Sequence, residues 1–206
     1  LYGSELSQRP DWTFTVENFT AGKYGNTYFF IDADLDDKQV KSAYGEFSHE
    51  VKLGKSPIWA HVEFDGGLSG STGSYNDAYL GGLAYNWNSK DFRRGFSLQA
   101  MYKYLAHADQ PHSWQLTTVW HYIFCHDLVT LSGFADLWHD NTVNGSLIFL
   151  SEPQIWFNFA PLKSVNDDFH LSVGSEVELS NNFVYPSTGR NNRFYALPTL
   201  AVKWTF

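Results

Sequence analysis

The run Glu152-Pro153-Gln154-Ile155-Trp156 places a carboxylate, an amide and an indole at every second position, and an extended chain sends alternate side chains to one face. A flat ring stacks on an indole for about 1–3 kcal/mol. A carboxylate or amide beside it accepts hydrogen bonds from hydroxyl groups. The same mixture recurs at Phe30 and Asp32, at Trp59, His61, Glu63 and Asp65, at Phe134, Asp136 and Trp138, and at Glu176 and Glu178. Phe30, Trp59, Phe134, Trp138 and Trp156 are the candidate stacking surfaces. Asp32, Glu63, Asp136, Glu152, Gln154 and Glu176 are the candidate polar contacts. Together they suit a neutral, ring-bearing solute. The competing role for each is structural, filling a narrow interior and pairing with Lys52, Lys103 or Lys203.

Other chemistries find less support. Ser132, His121 and Asp136 fall on adjacent segments, as a lipid-cleaving Ser-His site would require, and His139 with Asp140 could serve a peptide-cleaving pair. Neither carries a local signature, so no catalytic residue is expected. The eight histidines are not at metal-ligand spacing, and the single Cys125 excludes an intramolecular disulfide framework or a multi-cysteine zinc site. No metal or cofactor is expected. With 14 Lys and Arg against 22 Asp and Glu, the net charge is -8, the opposite of what phosphate neutralisation in nucleic-acid binding needs.

The elements that must position these residues alternate with a period of two. Leu171, Val173, Val177 and Leu179 alternate with Ser172, Glu176, Glu178 and Ser180, and Trp114, Leu116, Trp120 and Tyr122 alternate with Gln115, Thr117 and His121. The pattern predicts eleven strands, at 11–19, 27–35, 43–53, 58–66, 78–88, 93–106, 113–125, 128–140, 146–159, 169–181 and 194–206. Turn residues punctuate them, as at Gly22 to Asn26, Gly54 to Pro57, Asn88 to Asp91 and His126-Asp127. Pro153 lacks an amide donor, so a bulge or an edge is expected beside Glu152 and Gln154. No linker, repeat or second domain interrupts the chain, and residues 1–206 read as a single domain.

No window approaches the ~18 apolar residues of a spanning helix, which leaves a soluble sheet or a membrane barrel. The strand lengths match the roughly 9–11 residues of a tilted transmembrane strand. Trp12, Phe14, Trp87, Tyr102, Tyr104, Trp114, Trp120, Tyr122 and Trp204 crowd the strand ends as interfacial girdles do. The closing Val202, Trp204 and Phe206 resemble the C-terminal signal of bacterial outer-membrane barrels. With Phe206 on the periplasmic side, the 67–77 and 182–193 segments become outer loops, and the 20–26 and 160–168 connectors are long for periplasmic turns. Residues 1–10 also fall outside. Eleven strands do not close a single-chain barrel, so an additional N-terminal strand is expected, twelve in all.

Trp12-Thr13-Phe14-Thr15-Val16-Glu17, Gly25-Asn26-Thr27-Tyr28-Phe29-Phe30-Ile31-Asp32, His61-Val62-Glu63-Phe64-Asp65-Gly66-Gly67, Ser151-Glu152-Pro153-Gln154-Ile155-Trp156 and the 173–183 and 198–206 runs resemble a Bacteroidetes outer-membrane family of unknown function, DUF5020. The likeness extends over nearly the whole chain. That family is in turn similar at fold level to nucleoside-specific channels of the Tsx type. The resemblance implies an all-β transmembrane antiparallel barrel in the bacterial outer membrane, bounded by lipid. It makes a small-solute channel the leading expectation, with nucleosides as the favoured solutes. The alternative is a non-conducting barrel serving a larger outer-membrane complex; a barrel enzyme stands third. A monomer is expected, with no nucleic-acid partner.

Overall fold

A computed structural model describes residues 10–36, 39–71, 73–75, 77–142, 145–162, 165–166, 168–184 and 192–206. Among these residues the period-two segments become strands, with no helix, and none therefore crosses a membrane as a helix. The strands are β1 (Trp12–Ala21), β2 (Gly25–Leu35), β3 (Val40–Lys52), β4 (Ile58–Ser69), β5 (Gly73–Ser74), β6 (Ala78–Asn88), β7 (Arg94–Leu105), β8 (His112–Phe124), β9 (Val129–Thr142), β10 (Gly145–Ser151), β11 (Gln154–Asn158), β12 (Leu171–Asn181) and β13 (Phe194–Trp204). They form one antiparallel sheet in the order β1-β2-β3-β4-β6-β7-β8-β9-β10-β12-β11, with β13 on β12 and β5 on β4. The chain divides into two compact units. The first holds the described residues up to Tyr85 together with Gln99–Gln115, and the second holds Asn86–Leu98 and Leu116–Phe206.

Eleven expected strands become thirteen for two local reasons. The two-residue β5 folds back on the end of β4 inside a segment read as an outer loop. The strand expected at 146–159 is divided at Glu152-Pro153 into β10 and β11. Neither the bulge nor the edge expected there forms, since β10 and β11 are each paired on both sides. Ser151 faces Ala135 and Leu179, and Gln154 faces Ser132 and Glu176, so the chain advances three residues against both neighbours without changing register. Proline removes one ladder donor but leaves its carbonyl, which accepts from the Val177 amide at 3.0 Å. Gly133 makes the crossing fit: its φ is +152°, and a Cβ there would lie 2.9 Å from Pro153 Cα.

The burial pattern along the strands is inverted. In β4, His61 and Asp65 are 2% and 5% exposed, whereas the intervening Val62 is 57% exposed. Glu50, Lys103, Gln115, Ser172, Glu178 and Ser180 are likewise buried. Phe47, Leu68, Leu83, Leu98, Leu116, Ile155, Leu200 and Val202 are exposed. The aromatic residues expected at the girdles follow the outer pattern: Trp12, Phe14, Trp87, Tyr102, Tyr104, Trp114, Tyr122 and Trp204 are exposed, and Trp120 is half-buried.

The connector expected at 20–26 is shorter than the sequence suggests, because β1 runs to Ala21 and the Gly22 amide donates to the Gly25 carbonyl at 2.8 Å. The 125–128 turn carries Cys125, His126 and Asp127 at positive φ. Of the expected outer segments, residues 1–9 and parts of 67–77 and 182–193 lie outside the described residues, as does part of the 160–168 connector. Among the described strands β1 pairs only with β2, and all ten of its residues are exposed. β13 pairs only with β12.

Candidate functional site

In the first unit, strand alternation turns Phe30 and Asp32 of β2, Tyr44, Glu46 and Glu50 of β3, and Trp59, His61, Glu63 and Asp65 of β4 to the inner face. Direct register places Glu50 opposite His61 and Glu46 opposite Asp65. The His61 ring is held between two carboxylates, with Nδ1 3.2 Å from Glu50 Oε1 and Nε2 3.2 Å from Glu63 Oε2. Tyr44 donates its phenol proton to Glu46 at 2.8 Å. From β7, Gln99 Nε2 donates to Glu50 at 3.5 Å. Lys103 Nζ lies 3.8 Å from Asp65 Oδ2 and donates to Gln115 at 2.7 Å. Lys103 thus brings a positive charge to an otherwise acidic group.

Glu46, Glu63 and Asp65 each present a carboxylate oxygen within 4.8 Å of the others. An all-oxygen set of this kind is what a hard divalent cation takes. Here Tyr44, His61 and Lys103 already contribute donors or charge to it.

The expected stacking residues of this unit have close neighbours. Phe30 lies between Tyr28 and Tyr44, with ring centroids at 6.2 and 6.0 Å. Lys52 Nζ stands 5.0 Å from the Trp59 ring centroid and donates to the Lys23 carbonyl at 3.2 Å. Asp32 accepts from the Thr15 hydroxyl at 2.5 Å, and Asp34 accepts from Thr13 and Ser42, each at 2.8 Å.

The second unit gathers Gln154, Trp156 and Glu176. Gln154 lies directly opposite both Ser132 and Glu176. Its amide nitrogen donates to Glu176, and its oxygen accepts from the Trp156 indole at 2.9 Å and the Ser132 hydroxyl at 3.3 Å. Lys203 Nζ covers the buried Trp156 ring at 4.3 Å from its centroid. That contact is a cation–π pair and occupies ring surface expected for a stacked solute. Asn158 continues the row, donating to Thr130 at 3.1 Å and accepting from Ser172 at 2.8 Å.

The remaining expected residues of this unit are placed separately. Asp136 accepts from Thr117 at 2.5 Å. Trp138 meets Phe183 edge to face at 5.7 Å. The Phe134 carbonyl accepts from the Glu152 amide at 3.1 Å and from the Ser151 hydroxyl at 2.7 Å. His121 Nε2 lies 3.0 Å from the Phe92 carbonyl. Ser132, His121 and Asp136, weighed as an enzyme group, therefore each engage a different partner.

Tyr44 and Gln115 are the contributors that the sequence analysis left out. Alternation held the signal for both, since Tyr44 shares its face with Glu46, and Gln115 shares its face with Thr117. The Gln99–Glu50 and Lys103–Asp65 contacts had no local signal, because their strands are not neighbours in the sheet.

A family model described as "Domain of unknown function (DUF5020)" matches residues 1–206. The chain belongs to that family. No curated protein and no solved structure matches it.

Proposed function

We propose that this member of the DUF5020 family is a bacterial outer-membrane β-barrel that acts as a channel for small solutes. The observation that carries the reading is the inverted burial. A row of exposed Val, Leu, Phe and Ile outside a row of buried Glu, Asp, His and Lys is costly in water but suits a wall with lipid on one side. A hydrocarbon environment also requires strands whose ladders are closed. The open edge of β1 is then the place for one further strand. Counting β10 and β11 as one and β5 as part of its loop, that strand brings the total to twelve.

Nucleosides are the favoured solutes, by the fold-level resemblance of this Bacteroidetes outer-membrane family to Tsx-type nucleoside channels and by the pairing of rings with acceptors along the inner faces. A shared fold does not transfer a substrate, so the solute requires its own test. In planar bilayers, nucleosides should block single-channel conductance in a concentration-dependent way while a sugar of similar size does not. Equal block by both would remove nucleosides as the solute class. Hydrogen exchange of the longer protein tests the added strand: slow exchange of the outward β1 edge amides supports it, and fast exchange removes it.

One observation favours a second reading, a non-conducting barrel that serves as an accessory in a larger complex. His61, Asp65, Lys103 and Gln115 are each at least nine-tenths buried, so these side chains pack against their neighbours and not against water. Correct insertion with no conductance under any voltage or solute would select that reading.

A further inference from the structure

We propose that Gln99 and Lys103 form a constriction across the interior of the first unit that decides which solutes pass; this rests on the channel reading above. Sheet order sets the distance these side chains span. From β3 the order runs to β4, β6 and β7, so Glu50 and Gln99 stand three strand spacings apart, or roughly 14 Å along a flat sheet. Gln99 Nε2 is nevertheless 3.5 Å from Glu50 Oε1. Lys103 reaches Asp65 over the intervening β6, at 3.8 Å. Both side chains therefore extend over the inner side of the sheet across β6.

The sequence of β6 makes the crossing possible. Its inner positions include Ala78, Gly82 and Ala84, and the buried Leu80 packs with Met101. Small groups beneath the two long side chains leave room for them to extend. At the far ends of the crossing, Glu50 and Asp65 belong to the His61 and Glu63 group, which fixes where Gln99 and Lys103 can land. Gln115 anchors Lys103 from the other side at 2.7 Å.

The two residues have separable effects. Gln99 is neutral and contributes obstruction. Lys103 contributes obstruction together with a positive charge facing Asp65, Glu63 and Glu46, so its loss makes the passage both wider and more negative.

The test uses the full-length protein in planar bilayers under a salt gradient, with Q99A and K103M beside wild type. Heat-modifiable gel migration verifies folding of each. Q99A, which removes bulk, should conduct several-fold more than wild type, and only K103M, which keeps the bulk of lysine without its charge, should shift the reversal potential toward cation preference. Wild-type conductance in folded Q99A, or an unshifted reversal potential in folded K103M, would overturn the constriction while leaving the channel reading intact. Silence of wild type and both variants after verified insertion would overturn both readings together. Should K103M fail to fold, Q99A decides: increased conductance supports the constriction, and unchanged conductance overturns it.

Discussion

The polar groups of the two units are built from similar residues but join different parts of the sheet. In the second unit, Gln154 bonds Ser132 and Glu176 on the strands immediately beside it, and each is its direct register partner. The acidic group of the first unit contains one such pair, Glu50 and His61, but adds Gln99 and Lys103 from β7, which is not a neighbour of β3 or β4. The second network reinforces a wall; the first spans an interior. The chemistry also differs. The Gln154 group uses amide, hydroxyl and indole donors around one carboxylate, whereas the first unit concentrates Glu46, Glu50, Glu63 and Asp65 around His61 and Lys103. A charged network of this kind depends on every partner more strongly than a largely neutral one does.

The largest expected effect tests that difference. H61L should destabilise the fold by about 3–5 kcal/mol, since it leaves buried carboxylates without their shared partner. Q154L should cost less, about 1–3 kcal/mol. Urea-unfolding midpoints in the same lipid compare the two, and a smaller loss for H61L would break the distinction. Next, G133A should cost roughly 1–3 kcal/mol, because the residue sits at positive φ against Pro153. An unchanged midpoint would show that the β9 backbone yields easily. Removing the ring in F134A should weaken nucleoside block by about 1 kcal/mol, the low end for stacking, and W156A should weaken it by less. Lys203 already covers part of Trp156, so F134A should have the greater effect if both rings stack. Unchanged block in both would make these rings structural.

The smallest effect lies in the Asn88 to Asp91 turn, outside both networks. The Ser89 hydroxyl and then the Arg93 amide hold the exposed Asp91 carboxylate below its ordinary pKa of 3.8. A depressed folded-state pKa means that this contribution is present above 3.8 and is lost as pH falls through the lower folded value. Titration of the Asp91 carboxyl by NMR should show a midpoint below 3.8, and S89A should raise it. Neither change should alter the networks of the two units.

Period-two alternation was sufficient to place most of the strands and, where burial alternates along them, to choose the buried face. His61, Asp65, Lys103 and Glu178 were assigned inward from sequence, and each is buried. The Glu152-Pro153 break was legible as a missing donor, but its consequence was not. A missing hydrogen bond permits either a bulge or a gap, and Gly133 on the neighbouring strand makes the gap fit without a register change. The expected stacking role of Trp156 met the same limit, since nothing in its own strand announces that Lys203 from β13 lies over it.

The sequence by itself determined the all-β class, most strand bounds, the direction of each face and membership of a family. These follow from local rules: alternate residues point opposite ways, and turns need particular backbone angles. Only the tertiary structure decided which inward groups meet. Register brings Gln154 to Glu176, and three steps of sheet order separate Glu50 from Gln99 before their side chains meet across the interior. A contact of that second kind depends on how the intervening strands are arranged, and no local spacing in the chain records it.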